Sequence, residues 1–171
     1  MEIIMRSEYN KEKWGTPTGE VRILTDWDDI RTYRSDLANA FKLLRKQGYV
    51  ARMAEMCCGS CASAKIDSDI KKMNKKAGKK KWDADKVVFF HQQADRQLRE
   101  NGLVWLNWDG DAKVIYKALH DSGLQCWHSG SHDNSILVRV DDCTNFRYTH
   151  ESLMRSLSDM VNKNGEWHWR K

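Results

Sequence analysis

One proline, Pro17, serves the whole chain of 171 residues. No apolar run approaches the roughly 20 residues that a membrane-spanning helix needs. There is no Gly/Ser linker, no repeat at solenoid periods and no coiled-coil heptad run. The opening Met1-Glu2-Ile3-Ile4-Met5-Arg6 holds no apolar signal region. Secretion by that route is not expected, and a cytoplasmic location is. Phosphate-loop, Rossmann, kinase, serine-hydrolase and zinc-protease signatures are all missing. Of the five cysteines, three lie within residues 57–61. That odd, clustered set excludes the disulfide framework of a small secreted protein, and leaves metal binding or thiol chemistry to be weighed.

What is present fits one domain. The hydrophobic fraction is 40%, and eight Trp, five Tyr and four Phe can fill a core, which excludes global disorder. The formal charge of +5 is unevenly placed. Residues 71–81 carry seven Lys and no acid; without them, 22 basic residues face 24 acidic ones, a net of −2. The body is therefore near neutral. The segment reads as a solvated loop or as an electrostatic arm for phosphates or an acidic partner.

Spacing predicts alternating helices and strands. Residues 1–24 read as a lead-in, with a strand at Val21–Leu24. Thr25-Asp26 reads as a helix N-cap. Trp27, Ile30, Tyr33, Leu37, Phe41 and Leu44 then make one apolar face, so a helix is expected over 26–47, stopped by Gly48. Strands are expected at Tyr49–Met53, Lys86–His91, Leu103–Trp108, Leu124–Trp127 and Ser135–Val140. Helices are expected at Ser63–Met73, Gln92–Asn101, Asp111–Ser122 and Glu151–Asn162. The fold class expected is α/β: a single compact domain over 25–165, with a mixed or mostly parallel sheet of about five strands and helices packed on it. The Lys-rich 71–81 is expected as a loop, and 166–171 as an aromatic, basic tail.

Two segments carry a resemblance. One is Gly48-Tyr49-Val50-Ala51-Arg52 followed by Cys57-Cys58-Gly59-Ser60-Cys61-Ala62. The other is Val87-Val88-Phe89-Phe90-His91-Gln92-Gln93-Ala94-Asp95. With Gly123-Leu124, Trp127 and Gly130 after them, they resemble an uncharacterised bacterial family of small cytoplasmic proteins, a domain of unknown function, over roughly residues 36–140. The family pattern is a Cys-Cys-x-x-Cys turn, a Phe-His-Gln-Gln-Asp strand end and a late Trp-Asp-Gly. This chain departs from it: Ala94 precedes Asp95, His128-Ser129-Gly130 follows the late Trp, and 71–81 looks like an insertion. The resemblance implies the fold and makes Cys57, Cys58, Cys61, His91, Gln92 and Gln93 the special residues, without implying a reaction.

Three chemistries suit these residues. Zinc takes four N or S ligands, and Cys57, Cys58, Cys61 and His91 could supply them, with Cys126 or His128 in reserve. A thiol opening a helix is acidified by unpaired backbone N–H groups, and His91, oriented by Asp95 or a Gln, could act as its base. Sites in open α/β sheets lie beyond the carboxyl ends of strands, which is where His91, Trp108, Trp127 and His128 fall. With Gln92, Gln93 and His132 they would suit a planar, nucleotide-like ligand. The bland alternatives are buried small thiols and core tryptophans. His120, His150 and His168 are expected at the surface.

The expected function is therefore a non-enzymatic binding protein, expected to form a homo-oligomer. It would sequester a nucleotide-like molecule or inhibit a host defence protein. High Lys, Trp and Met with little Pro is reminiscent of phage-encoded proteins, hence phage-type counter-defence. The alternatives are a zinc-stabilised protein-interaction module and a small Cys/His thiol-dependent enzyme. No membrane partner is expected, and nucleic acid only through 71–81.

Overall fold

Apolar residues recur at every third or fourth position in the helices and form near-continuous runs in the strands, which are buried on both faces, and this decides the architecture. The computed structural model describes residues 32–128 and 135–144, with Ser152, Leu153, Arg155 and Ser156. Helix α1 (Arg34–Lys46) leads to β1 (Val50–Arg52), α2 (Gly59–Ala77), β2 (Val87–Phe89), α3 (Gln92–Asn101), β3 (Leu103–Asp109), α4 (Ala112–Asp121), β4 (Gln125–Trp127) and β5 (Ile136–Arg139). The five strands form one mixed sheet in the order β1-β2-β3-β5-β4. Only β1 and β2 pair parallel; β2–β3, β3–β5 and β4–β5 are antiparallel.

Helix α1 buries Leu37, Ala40, Phe41 and Leu44, the i, i+3, i+4, i+7 stripe of an amphipathic helix. It stops in a Schellman motif. Gly48 takes φ 88°, its N–H donates to Arg45 O at 3.1 Å, and Tyr49 N–H donates to Leu44 O at 3.1 Å. Alternation along β1 and β2 then sends side chains to two separate cores. Ala51, Val88 and Phe90 join Phe41, Leu106 and Ile115. Val50 and Phe89 pack with Ala62, Ile66 and Ile70 of α2. Burying one such side chain contributes about 1.5–3 kcal/mol, so α2 is held mainly by Ile66 and Ile70.

Several elements differ from the sequence reading. The helix expected over 26–47 is not continuous: Thr32 and Tyr33 are not helical and α1 begins at Arg34, because Thr32 is committed elsewhere, while 26–31 lie outside the described residues. Thr32 N–H donates to Asp141 Oδ2 at 2.7 Å, and Thr32 O accepts from Asp141 N–H at 2.6 Å. A residue paired to a distant segment on both backbone sides cannot sit inside a helix. The Thr25-Asp26 cap and the strand at 21–24 lie outside the described residues, as do the tail 166–171, His132, His150 and His168. Helix α2 runs from Gly59 to Ala77, so residues 71–77 of the Lys-rich segment are helical and not loop. Lysine is a good helix former, and the helix ends only at Gly78, φ 70°. His120 is buried, 4% exposed, stacked on Tyr116 with ring centroids 5.8 Å apart.

The most deeply buried charge is Arg139. Its guanidinium meets Gln125, which stands directly across from it on β4, and pairs with Asp141. The Asp141 carboxylate also accepts from Thr32 N–H, so one acid both neutralises Arg139 and ties the start of α1 to the end of β5. Removing one partner of a buried ion pair leaves the other uncompensated. Asp141→Ala should therefore cost about 3–5 kcal/mol in urea unfolding. Substituting exposed Gln93 by Ala should stay within about 0.5 kcal/mol. An Asp141→Ala loss below 1 kcal/mol would show that the pair is not holding these ends together.

Candidate metal centre

Because β1 and β2 run parallel and adjacent, the segments leaving their carboxyl ends emerge side by side. One is the turn 53–58 and the other is Phe90-His91. They stay hydrogen-bonded beyond the strands. Phe90 N–H donates to Arg52 O at 3.3 Å, Glu55 N–H to Phe90 O at 2.9 Å, and Gln92 N–H to Met56 O at 2.8 Å. The tight course of the turn puts Ala54 (φ 51°) and Met56 (φ 56°) in the left-handed region. For non-glycine residues that costs on the order of 1 kcal/mol each. An ion-pair net fastens the turn to α2. Lys65 Nζ meets Glu55 at 3.1 Å and Asp69 at 2.8 Å, and Arg52 Nη1 reaches Asp69 at 3.3 Å. Lys65 first, and Arg52 after it, hold the Asp69 carboxyl below its usual range.

Cys58 is the N-cap of α2, and Cys57 and Cys61 flank it, so all three thiols gather at the head of the helix. Their sulfurs lie within 4.8 Å of one another. Cys57 donates to Cys58 across 3.9 Å, and Cys58 lies 3.4 Å from the Ser60 hydroxyl. Cys57 and Cys61 are exposed, so this is not the set of buried small thiols that the bland reading proposes. Cys126 alone fits that description, and burial pushes its thiol far above the ordinary value.

The three thiols are electrostatically unlike. The Ser60 hydroxyl, then the Cys61 amide and the neighbouring thiols, bring Cys58 down to about 6, although its sulfur closes no full capping hydrogen bond. Cys61 is pushed up to about 11, because it serves as the proton-bearing partner of Cys58 and Cys57. Ser60 was not singled out in the sequence; a hydroxyl at the second position of a helix opened by Cys was the signal for it.

His91 stands next to this cluster. A Cβ built on Gly59 would lie 3.7 Å from its Cδ2. Yet the expected fourth ligand is not delivered. The set of converging ligand atoms among the described residues is the three thiols, without His91. The imidazole Nδ1 accepts from Ala94 N–H at 3.2 Å and so caps α3. A neutral ring that accepts at Nδ1 carries its proton on Nε2, where it can donate but not ligate. The expected orienting acid is also committed: Asp95 binds Arg34 and Arg99, each at 2.9 Å. Gln92 and Gln93 are exposed on the first turn of α3.

The planar-ligand pocket is not assembled. Strands β3 and β4 run against β2, so their carboxyl ends point away from His91. Trp108 sits opposite Val88, three residues back along the strand from His91. Trp127 is on β4, with β3 and β5 intervening, and is fully buried. His128 joins Trp108 edge-to-face at 5.3 Å, a contact separate from the thiols. A cleft of about 450 Å³ opens instead at the amino ends of β1 and β2, among Gln47, Tyr49, Lys86 and Asp111. Its wall is tight: Tyr49 Oη accepts from Asp111 N–H at 3.0 Å, and a Cβ on Gly110 (φ 124°) would meet that oxygen at 2.6 Å.

In metal-free protein, alkylation of Cys58 should rise with pH through a midpoint near 6 and level off above it, since only the thiolate reacts. Ser60→Ala, by removing the largest stabiliser of that thiolate, should move the midpoint upward. Mass mapping of the alkylated peptides checks both, with buried Cys126 as the unreactive internal standard. A midpoint at the ordinary thiol value in both proteins would show that the helix head does not tune Cys58.

Neither the curated proteins nor the solved structures include a match to this chain. A family model described as a domain of unknown function, DUF6891, matches residues 24–142. That stretch takes in all five strands, the thiol turn and His91. The chain thus belongs to the DUF6891 family, as the paired Cys-Cys-x-x-Cys and Phe-His-Gln-Gln segments implied.

Proposed function

We propose that this protein holds one thiophilic metal ion, zinc in the first instance, on Cys57, Cys58 and Cys61, and works as a zinc-stabilised interaction module. The observation that carries the reading is the spacing of the sulfurs. Zn–S bonds of about 2.3 Å in a tetrahedron set the sulfurs about 3.8 Å apart. Cys57 and Cys58 already stand 3.9 Å apart, with Cys61 inside the same 4.8 Å group. The ion would join the turn to the first turn of α2, supplementing the Glu55–Lys65–Asp69 net. Three protein ligands leave one position for a ligand from outside. Any inhibitory action on a partner protein would use the exposed surface round this turn, where Met56 is a large apolar side chain open to solvent.

One observation favours a second reading, thiol–disulfide exchange. In Cys58-Gly59-Ser60-Cys61 a thiolate-forming Cys is followed, three residues on, by a proton-holding one. Such a pair can attack a disulfide and then resolve the mixed disulfide.

Protein purified without chelator should carry close to one zinc per chain by native mass and elemental analysis, and Cys58→Ser should lose it. The same spectra read the number of chains in the expected homo-oligomer. A metal-free protein that mild oxidation converts to a Cys58–Cys61 disulfide would replace the metal reading with the exchange reading.

A further inference from the structure

Helix α2 continues four residues past Met73 and carries the lysine run out on a rigid rod. Lys71, Lys72, Lys75 and Lys76 fall at i, i+1, i+4 and i+5, which puts them on one arc of roughly 140°. That arc faces away from the Ile66 and Ile70 stripe. The chain then turns at Gly78 and comes back. Asn74 fastens the return: its Oδ1 accepts from Lys81 N–H at 2.9 Å and Trp82 N–H at 2.8 Å, and its Nδ2 donates to Trp82 O at 2.9 Å. Lys81 Nζ rests over the Trp82 ring at 5.3 Å. Lys79, Lys80 and Lys81 are thereby fixed against the helix end instead of trailing into solvent.

All seven lysines are exposed. None of their ammonium groups is in an ion pair with a described residue. Four acids lie near in sequence: Asp67, one turn before Lys71; Asp69, which pairs with Lys65 and Arg52 and also feels Lys72; and Asp83 and Asp85, with Asp83 Oδ1 accepting from the Asp85 N–H at 3.0 Å. Lysines in the last turn suit the negative end of the helix dipole, which accounts for Lys75 and Lys76. It does not account for seven like charges held together, none of them in an ion pair with a described residue.

We propose that the end of α2 and the loop pinned behind it form a lysine platform that binds the phosphodiester backbone of nucleic acid without reading its sequence. The surface fits that partner for two reasons. Lys71, Lys72, Lys75, Lys76, Lys79, Lys80 and Lys81 offer point charges, with only the small Ala77 and the half-buried Met73 and Trp82 as apolar surface among them, so binding must draw mainly on counterion release, which a dense polyanion supplies. An acidic protein face, with sparser charge, would need more apolar contact than the platform offers. Lysine also serves phosphate as a point charge, and the platform contains no Arg fork for carboxylates or guanine edges.

Fluorescence anisotropy of the full chain tests this with a labelled 20-base-pair DNA duplex, a 20-nucleotide single-stranded RNA and polyglutamate as competitor. Both nucleic acids should bind. On the duplex, log K should fall against log salt with a slope of about −5, as five or six phosphate contacts require. Lys71→Gln/Lys75→Gln/Lys76→Gln should weaken binding at least tenfold and flatten the slope by about 3. Asn74→Ala, which changes no charge, should also weaken binding, because it frees the return loop. Helicity by circular dichroism and zinc content separate these effects from misfolding and from the thiol site. No binding at 50 mM salt, or a slope unchanged in the triple-Gln variant, overturns the proposal. Polyglutamate displacing the duplex at equal charge would assign the platform to an acidic protein. Asn74→Ala binding as the parent does would replace the fixed platform with a free lysine arm.

Discussion

Three parallel backbone pairs, Val50 with Val87, Ala51 with Val88 and Arg52 with Phe89, bring the thiols and His91 together. Parallel neighbours cannot be joined by a hairpin, so a crossover helix must start near the carboxyl end of β1 and return the chain to the amino end of β2. Helix α2 is that crossover. Whatever residues precede it are delivered to the rim where β2 also ends. Cysteines there are opened to solvent, given a helix N-terminus and set beside the residue that caps α3. The Glu55–Lys65–Asp69–Arg52 net holds the turn in place from outside the core.

Much of this order was readable. Apolar spacing placed α1 and α4, and the Gly48 stop fell where an αL glycine closes α1. The strand expected at Lys86–His91 carries a continuous apolar run at 87–90, and it is covered on both faces. Strand direction was not readable. A helix between two strands usually carries the chain back to a parallel neighbour, yet α3 returns it antiparallel, through Gly102 straight into β3. Hydrophobic pattern records which face a residue seeks, and is silent on the direction of the partner strand. The grouping of His91 with Trp108 and Trp127 rested on that missing direction and came apart with it.

Other misreadings have smaller causes. A lysine run shows hydration, and hydration was taken for irregular backbone, although lysine sits well in an exposed helix. The expected helix ran unbroken through Thr32, while a contact 109 residues away, Thr32 with Asp141, decided where α1 begins. His91 showed its type in the sequence but not its allegiance: its acceptor nitrogen serves the Ala94 amide, which only the start of α3 reveals.

Along α2 the rise from Cys61 to Lys71 is about 15 Å, and to Lys76 about 22 Å. At physiological ionic strength that is about two to three screening lengths of about 8 Å. Charge gained or lost at the thiols is therefore largely screened from the lysines. A signal between them would have to travel as a displacement of the rod itself, levered on Ile66 and Ile70, its buried fulcrum.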